Sequence, residues 1–150
     1  SLAGTFISVS IAGFILGSAV AGRISIRLGS TWLINTGNLI CLSSAATALI
    51  LAYTAAQFAP LVIAPVVAFM FGVGFVMPPA AAAAIAPFPS MAGAASSFLG
   101  FSQISASSTV ILIIGYLYDG TMRPVALVMT ILAAIGLLVF LVGMPRRPTR

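Results

Sequence analysis

Residues 124–144 read PVALVMTILAAIGLLVFLVGM, 21 consecutive positions without a charged side chain. A helix of about 20 apolar residues crosses roughly 30 Å of hydrocarbon. This run is apolar on every side, so it has no polar face to turn towards water. The rest of the chain repeats the pattern. Of 150 residues 61% are hydrophobic and 5% charged, and the charged inventory is six Arg and one Asp. Mean hydropathy is +1.25. Seven charges cannot cover the surface of a water-soluble domain, which carries about 25% charged residues. Disorder, which needs low hydrophobicity, is excluded on the same ground. An integral membrane protein remains.

Five stretches are long and apolar enough to span: Leu2–Gly22, Thr31–Tyr53, Leu61–Ala86, Ala92–Tyr118 and Pro124–Met144. None alternates apolar and polar residues as barrel strands do. The expected fold class is therefore an all-α membrane protein with five transmembrane helices. The third stretch holds Pro78-Pro79, which predicts a helix kinked near residue 78, because proline lacks the N–H and crowds the preceding turn. A span ending at Met77 and followed by a short interfacial segment is the alternative. Short connections are expected at Arg23–Ser30, Thr54–Pro60, Pro87–Met91 and Asp119–Arg123, with no second domain.

The arginines set an expected orientation. With five spans, Arg23, Arg27, Arg146, Arg147 and Arg150 share one side, whereas Arg123 and Asp119 lie on the other. Arg and Lys are enriched in cytoplasmic loops. This places the C-terminus in the cytoplasm and Ser1 outside. Trp32 falls at the inner interface and Tyr53, Tyr116 and Tyr118 at the outer one, as aromatic belts do. A chain entering from outside at Ser1 is expected to be a fragment of a longer protein that lacks a leading span.

Several chemistries lack their parts. There is no His, no Glu and a single cysteine, Cys41. Metal sites, Ser/His/Asp triads and paired carboxylates cannot be assembled. No enzyme activity, cofactor or metal is expected. No nucleic-acid partner is expected either, since the net charge of +5 sits at span ends. No ionisable carboxylate lies at membrane depth, where such groups mark ion pathways.

Polar and small residues inside the spans are the remaining signals. Gly13 and Gly17, like Ser96 and Gly100, have the small-xxx-small spacing that lets helices approach closely in lipid. Gln103 lies near the centre of its span, with Ser96, Gly100 and Ser107 on the same stripe. It is read either as interhelical glue or as a cavity residue that hydrogen-bonds a ligand. Phe69, Met70, Phe71, Phe75 and Met77 load the third span with large, soft side chains that suit adaptable apolar surfaces. Phe71, Met77, Gln103 and Ser107 are the substrate-cavity candidates. Asn35 and Asn38, just past Trp32, are read as interfacial anchors.

The segment Gly22-Arg23-Ile24-Ser25-Ile26-Arg27-Leu28-Gly29 resembles the inner-loop motif of the major facilitator superfamily, with Gly22, Arg27 and Gly29 as matching positions. Ile26 stands where the motif has an acid and Ser30 where it has its last basic residue, so the salt-bridge latch of that motif has no counterpart here. The stretch Gly72–Gly120, with Gly-x-Gly-Phe-x-Met-Pro, then Met91-Ala92-Gly93-Ala94-Ala95-Ser96-Ser97, then Tyr118-Asp119-Gly120-Thr121, resembles the Bcr/CflA-type multidrug efflux branch. That resemblance implies the eighth to twelfth helices of a twelve-helix transporter: the C-terminal six-helix bundle less its first helix. It implies export of a small-molecule drug in exchange for a proton, by alternating access, in a bacterial inner membrane. It makes the missing N-terminal half, which carries the proton-binding acids, a partner alongside the lipid bilayer. It also implies that the third and fourth spans border the central cavity while the second and fifth are peripheral. The alternative function is a non-transport membrane subunit or scaffold that packs against partner helices.

Overall fold

A computed structural model describes residues 2–54 and 59–143. Among them the chain is all-α: α1 (Leu2–Leu28), α2 (Ser30–Thr54), α3 (Ala59–Ile85), α4 (Ala92–Leu117) and α5 (Arg123–Gly143), with one 3₁₀ turn at Pro89–Met91. All five helices are long and apolar enough to cross a membrane. The protein is an all-α, multi-pass membrane protein. Large apolar side chains such as Ile26, Phe98, Leu112 and Val142 stand exposed on the outside, where lipid rather than water is their solvent.

The expected loop Arg23–Ser30 is not a loop. α1 continues through it to Leu28, and a single residue, Gly29, separates α1 from α2. The break is made by Gly29 at φ +78°, a left-handed conformation that glycine adopts without a Cβ penalty. Its N–H still donates to the Ser25 carbonyl at 3.1 Å, closing α1 as a helix C-terminus does. Gly22, a matching position of the inner-loop motif, is an exposed helical residue. Arg27 occupies the last turn of α1, where a cation complements the helix dipole.

α3 runs unbroken past Pro78 and Pro79, so the alternative of a span ending at Met77 is not what forms. The two prolines deprive the carbonyls of Gly74 and Phe75 of their usual N–H partners. The last turn closes through Ala86 N–H to Ala82 O and Phe88 N–H to Ile85 O. The middle of the Thr54–Pro60 connection, Met144, and the arginines at 146, 147 and 150 lie outside the described residues.

α3 is the axis of the bundle. It packs along α1 on one side and α2 on the other, and α2 in turn packs on α5. Two glycines set the first two crossings. Residues 72 and 74 are about 200° apart around a helix of 3.6 residues per turn, so they face different neighbours. A Cβ on Gly74 would lie 2.6 Å from Phe14 O and 2.7 Å from Ser18 N of α1. Gly13 and Gly17 of α1 face the backbone carbonyls of Val67 and Phe71 in return. On the other face, a Cβ on Gly72 would lie 2.8 Å from Cys41 Sγ and 3.0 Å from Gly37 O of α2. The α2–α5 contact is built from alanines: Ala48, Ala52 and Ala126 in one buried cluster, Ala45 and Ala133 with Cys41 in another. Bare backbones and methyl groups let helices approach closely, and van der Waals contact is what holds helices together in lipid.

α4 is different. Among the described residues it has no buried residue, and its main helix contacts, to α3 and α5, are light. Ser96 and Gly100, expected to pack against another helix, meet none here. A Cβ on Gly100 would find nothing within 4 Å, and the Ser96 hydroxyl donates to Gly93 O of its own helix at 2.9 Å.

These contacts predict a contrast between glycines. Gly17→Ala and Gly74→Ala force a methyl into a neighbouring backbone and should destabilise the purified protein by about 1–3 kcal/mol, the usual cost of overpacking. Gly100→Ala should leave the melting temperature in detergent unchanged or slightly raised. Equal melting temperatures for all three variants would contradict the close crossings.

Candidate functional site: a four-helix cleft with two amides

Helix packing leaves a cleft of about 410 Å³ between α2, α3, α4 and α5. α3 contributes one face at helical spacing: Phe69, Val73, Val76, Met77, Ala80 and Ala81. α5 supplies Leu132, Ala133 and Gly136, α4 supplies Leu99 and Gln103, and α2 supplies Asn38 and Cys41. No lining residue is charged. The cleft is an apolar slot carrying two side-chain amides, one from α2 and one from α4.

Its depth follows from helix arithmetic. Asn38 is eight residues from the start of α2, Met77 eight from the end of α3, Gln103 eleven from the start of α4, and Gly136 seven from the end of α5. At 1.5 Å per residue these positions lie about 10–17 Å from the bundle end that carries Gly29 and the 3₁₀ turn. That is roughly a third of the way along each helix, within the part long enough to cross about 30 Å of hydrocarbon.

The two amides differ from most hydroxyls of the bundle. Most hydroxyls on the helices are satisfied within their own helix. Ser102 donates to Phe98 O at 2.8 Å, Thr109 to Ser105 O at 2.9 Å and Thr130 to Ala126 O at 2.8 Å. Such back-bonding to the preceding turn is open to a short hydroxyl. A carboxamide carries two donors and an acceptor and cannot discharge them that way. Among the described residues, the side chains of Asn38 and Gln103 take part in none of the hydrogen bonds of the bundle. Neither is sealed in: Asn38 is half-buried and Gln103 is exposed.

The four cavity candidates divide. Met77 and Gln103 meet in the cleft. Phe71 does not line it. Two residues from Phe69, it lies about 200° round the helix and packs with Ala21, Leu33 and Phe75, its ring centroid 5.1 Å from that of Phe75. Phe71 belongs to the α1–α2–α3 packing. Ser107, one turn beyond Gln103, is exposed and lies outside the cleft. Asn38, read from the sequence as an interfacial anchor, also lines the cleft. It lies six residues past Trp32, about 9 Å further along the helix, and counting from that tryptophan is the signal that points to it.

At the opposite end, Arg123 ties α5 to α2. Its Nε donates to Ala52 O at 3.4 Å, and its guanidinium carbon lies 5.1 Å from the Tyr53 ring centroid. The preceding turn is held by Asp119, whose Oδ1 accepts from the Thr121 hydroxyl at 2.6 Å and the Thr121 N–H at 3.0 Å. The Thr121 bonds hold the Asp119 carboxyl below its ordinary pKa, with Arg123 a minor contributor. Gly120, at φ +82°, completes the turn. Comparison with family models, with curated proteins and with solved structures found no match to this chain.

A carboxylate with a lowered folded-state pKa stabilises fully above the ordinary Asp value of about 3.9, and that contribution is lost as pH falls through the lower folded value. Amide hydrogen exchange at Thr121 and Arg123, corrected for intrinsic rates, should therefore accelerate below about pH 4. Asp119→Asn should abolish this added pH dependence. Protection that stays constant down to about pH 2, well below the ordinary Asp value, would show that the carboxylate does not hold the turn.

Proposed function

We propose that this chain is part of a secondary active transporter that exports small amphipathic compounds, drugs among them, by alternating access. The observation that carries the reading is the uncharged, amide-bearing cleft inside the span of the bundle, walled by four helices. Transporter sites of this kind lie near the bilayer midplane, and one bundle rocks against another around them. Met77 and Phe69 give the slot polarisable surface that can adapt to different apolar bodies. The exposed α4, with its Gly100–Gln103 stripe, leaves a face for further helices of the same transporter.

Coupling fits the charge distribution. Among the described residues the charged groups are Arg23, Arg27, Asp119 and Arg123, at helix ends or in a turn. On this reading the segment holds cargo, and proton-binding acids belong to other helices. The family is then the Bcr/CflA-type branch of the major facilitator superfamily, in the bacterial inner membrane with the C-terminus cytoplasmic. The motifs in Gly72–Gly120 and the arginine distribution support this.

A scaffold subunit is the second reading, favoured by the same unpacked α4. Export separates the two. In cells producing the whole gene product, Gln103→Ala should change tolerance to at least one exported compound by several-fold, with membrane expression unchanged. Energised efflux of every compound tested that is indifferent to Gln103→Ala would defeat the assignment of Gln103. Absence of any efflux from the unsubstituted protein would favour the scaffold.

A further inference from the structure

The resemblance makes the second and fifth spans peripheral, yet in the structure both form walls of the cleft. We infer that Asn38 of α2 is a ligand-binding residue paired across the cleft with Gln103 of α4, that the two clasp the hydrogen-bonding group of an uncharged amphipathic ligand, and that Gly136 of α5 keeps the space beside Asn38 open. This rests on the reading of the cleft as a ligand site and adds to it a residue, a ligand chemistry and a size gate.

Three observations converge. First, the two amides are the polar groups of the cleft that neither their own helix nor a neighbour satisfies. An amide in hydrocarbon gains from a partner, since water is absent there. Second, the cleft has no charged lining residue. A ligand cation or anion entering it would lose hydration without gaining a counter-charge, an expensive transfer. A neutral ligand with a donor and an acceptor side by side, such as a carboxamide, a sulfonamide or a hydroxy-carbonyl group, matches two carboxamides and incurs no such cost. Third, Gly136 lies directly beside the Asn38 amide: even a Cβ there would come within 3.8 Å of Asn38 Oδ1. A leucine at 136 adds bulk from that point of contact with the oxygen.

The apolar remainder of the ligand lies along Phe69, Met77 and Leu99. Specificity of this kind is asymmetric. A site built to hydrogen-bond a ligand group rejects the analogue that cannot reciprocate, because its own polar groups are left unpaired. Loss of one amide should therefore weaken the matching ligand and spare the mismatched one.

The test is equilibrium binding, without an ion gradient, to the whole gene product in nanodiscs of phosphatidylethanolamine and phosphatidylglycerol. The probes are dansylamide, neutral with a donor and an acceptor, and dansylcholine, which carries a permanent cation. Dansylamide should bind at least fivefold more tightly than dansylcholine. Asn38→Leu and, separately, Gln103→Leu should each weaken dansylamide about 5- to 100-fold, the range of one lost hydrogen-bonding partner, and leave dansylcholine within twofold. Gly136→Leu should weaken dansylamide similarly with both amides in place. Each variant is read only if it elutes as a single species and melts cooperatively, and the two walls provide independent variants. Equal affinity for the two probes, or dansylamide binding indifferent to both amide variants, would overturn the inference. Failure of the transport reading looks different: the predicted binding selectivity would persist in a protein that exports nothing. Conversely, robust efflux with indifferent amide variants would sink the clasp alone.

Discussion

The contact on which the bundle depends is backbone against backbone at the middle of α3. In water, helices are driven together by burying apolar surface. In lipid that drive vanishes, because the tails are as apolar as leucine. What remains is close van der Waals contact, and closeness is limited by side chains. Gly72 and Gly74 remove that limit on two faces of one helix, and Gly13, Gly17 and Gly37 remove it on the helices opposite. α1 and α2 can both lie on α3, and α5 then nests on the alanine face of α2.

That arrangement leaves the cleft as its by-product. Helices approach through glycine and alanine on some faces, and the gap lies where Phe69, Met77 and Leu132 line the others. Pro78 and Pro79 sit just past the α1 and α2 crossings and free two carbonyls in the same region of α3. The chemistry of the gap then follows from which polar groups can satisfy themselves. Most serines and threonines bond back to the preceding turn and fall silent. Carboxamides cannot, so Asn38 and Gln103 remain available for a ligand.

Much of this was legible in the residues. Uninterrupted apolar runs of about 20 residues are a strong signal because the bilayer sets a length, and the five helices follow from them. One boundary, the end of α1, moved by more than two residues. A helix end is defined by where backbone hydrogen bonding stops, not by where charges begin. Arg23 and Arg27 marked a loop by composition, yet nothing in Arg23–Leu28 breaks a helix until Gly29. The site was half legible. Gln103 is conspicuous as an amide in a greasy span, and Met77 lies on the correct face. Phe71 was grouped with its neighbours by size, but faces of α3 separate by about 100° per residue, and size carries no angular information. Gly100 shows the reverse limit: small-xxx-small spacing permits a close contact and does not say that a partner is present.

The most direct test of α3 as a two-faced axis uses the native Cys41. A Cβ at position 72 would stand 2.8 Å from Cys41 Sγ, near the separation of about 3 Å between a Cβ and the far sulfur of a disulfide. The nearest obstacle at this glycine is thus the end of a side chain that the new bond itself absorbs. Gly72→Cys in native membranes, treated with a mild oxidant and read by mass spectrometry of the peptides, should in most molecules form a disulfide between Cys41 and the thiol introduced at position 72. Gly74→Cys, which faces α1, should leave both thiols free. A free thiol at 72, or a bond from 74 to Cys41, would contradict the packing on which the cleft depends.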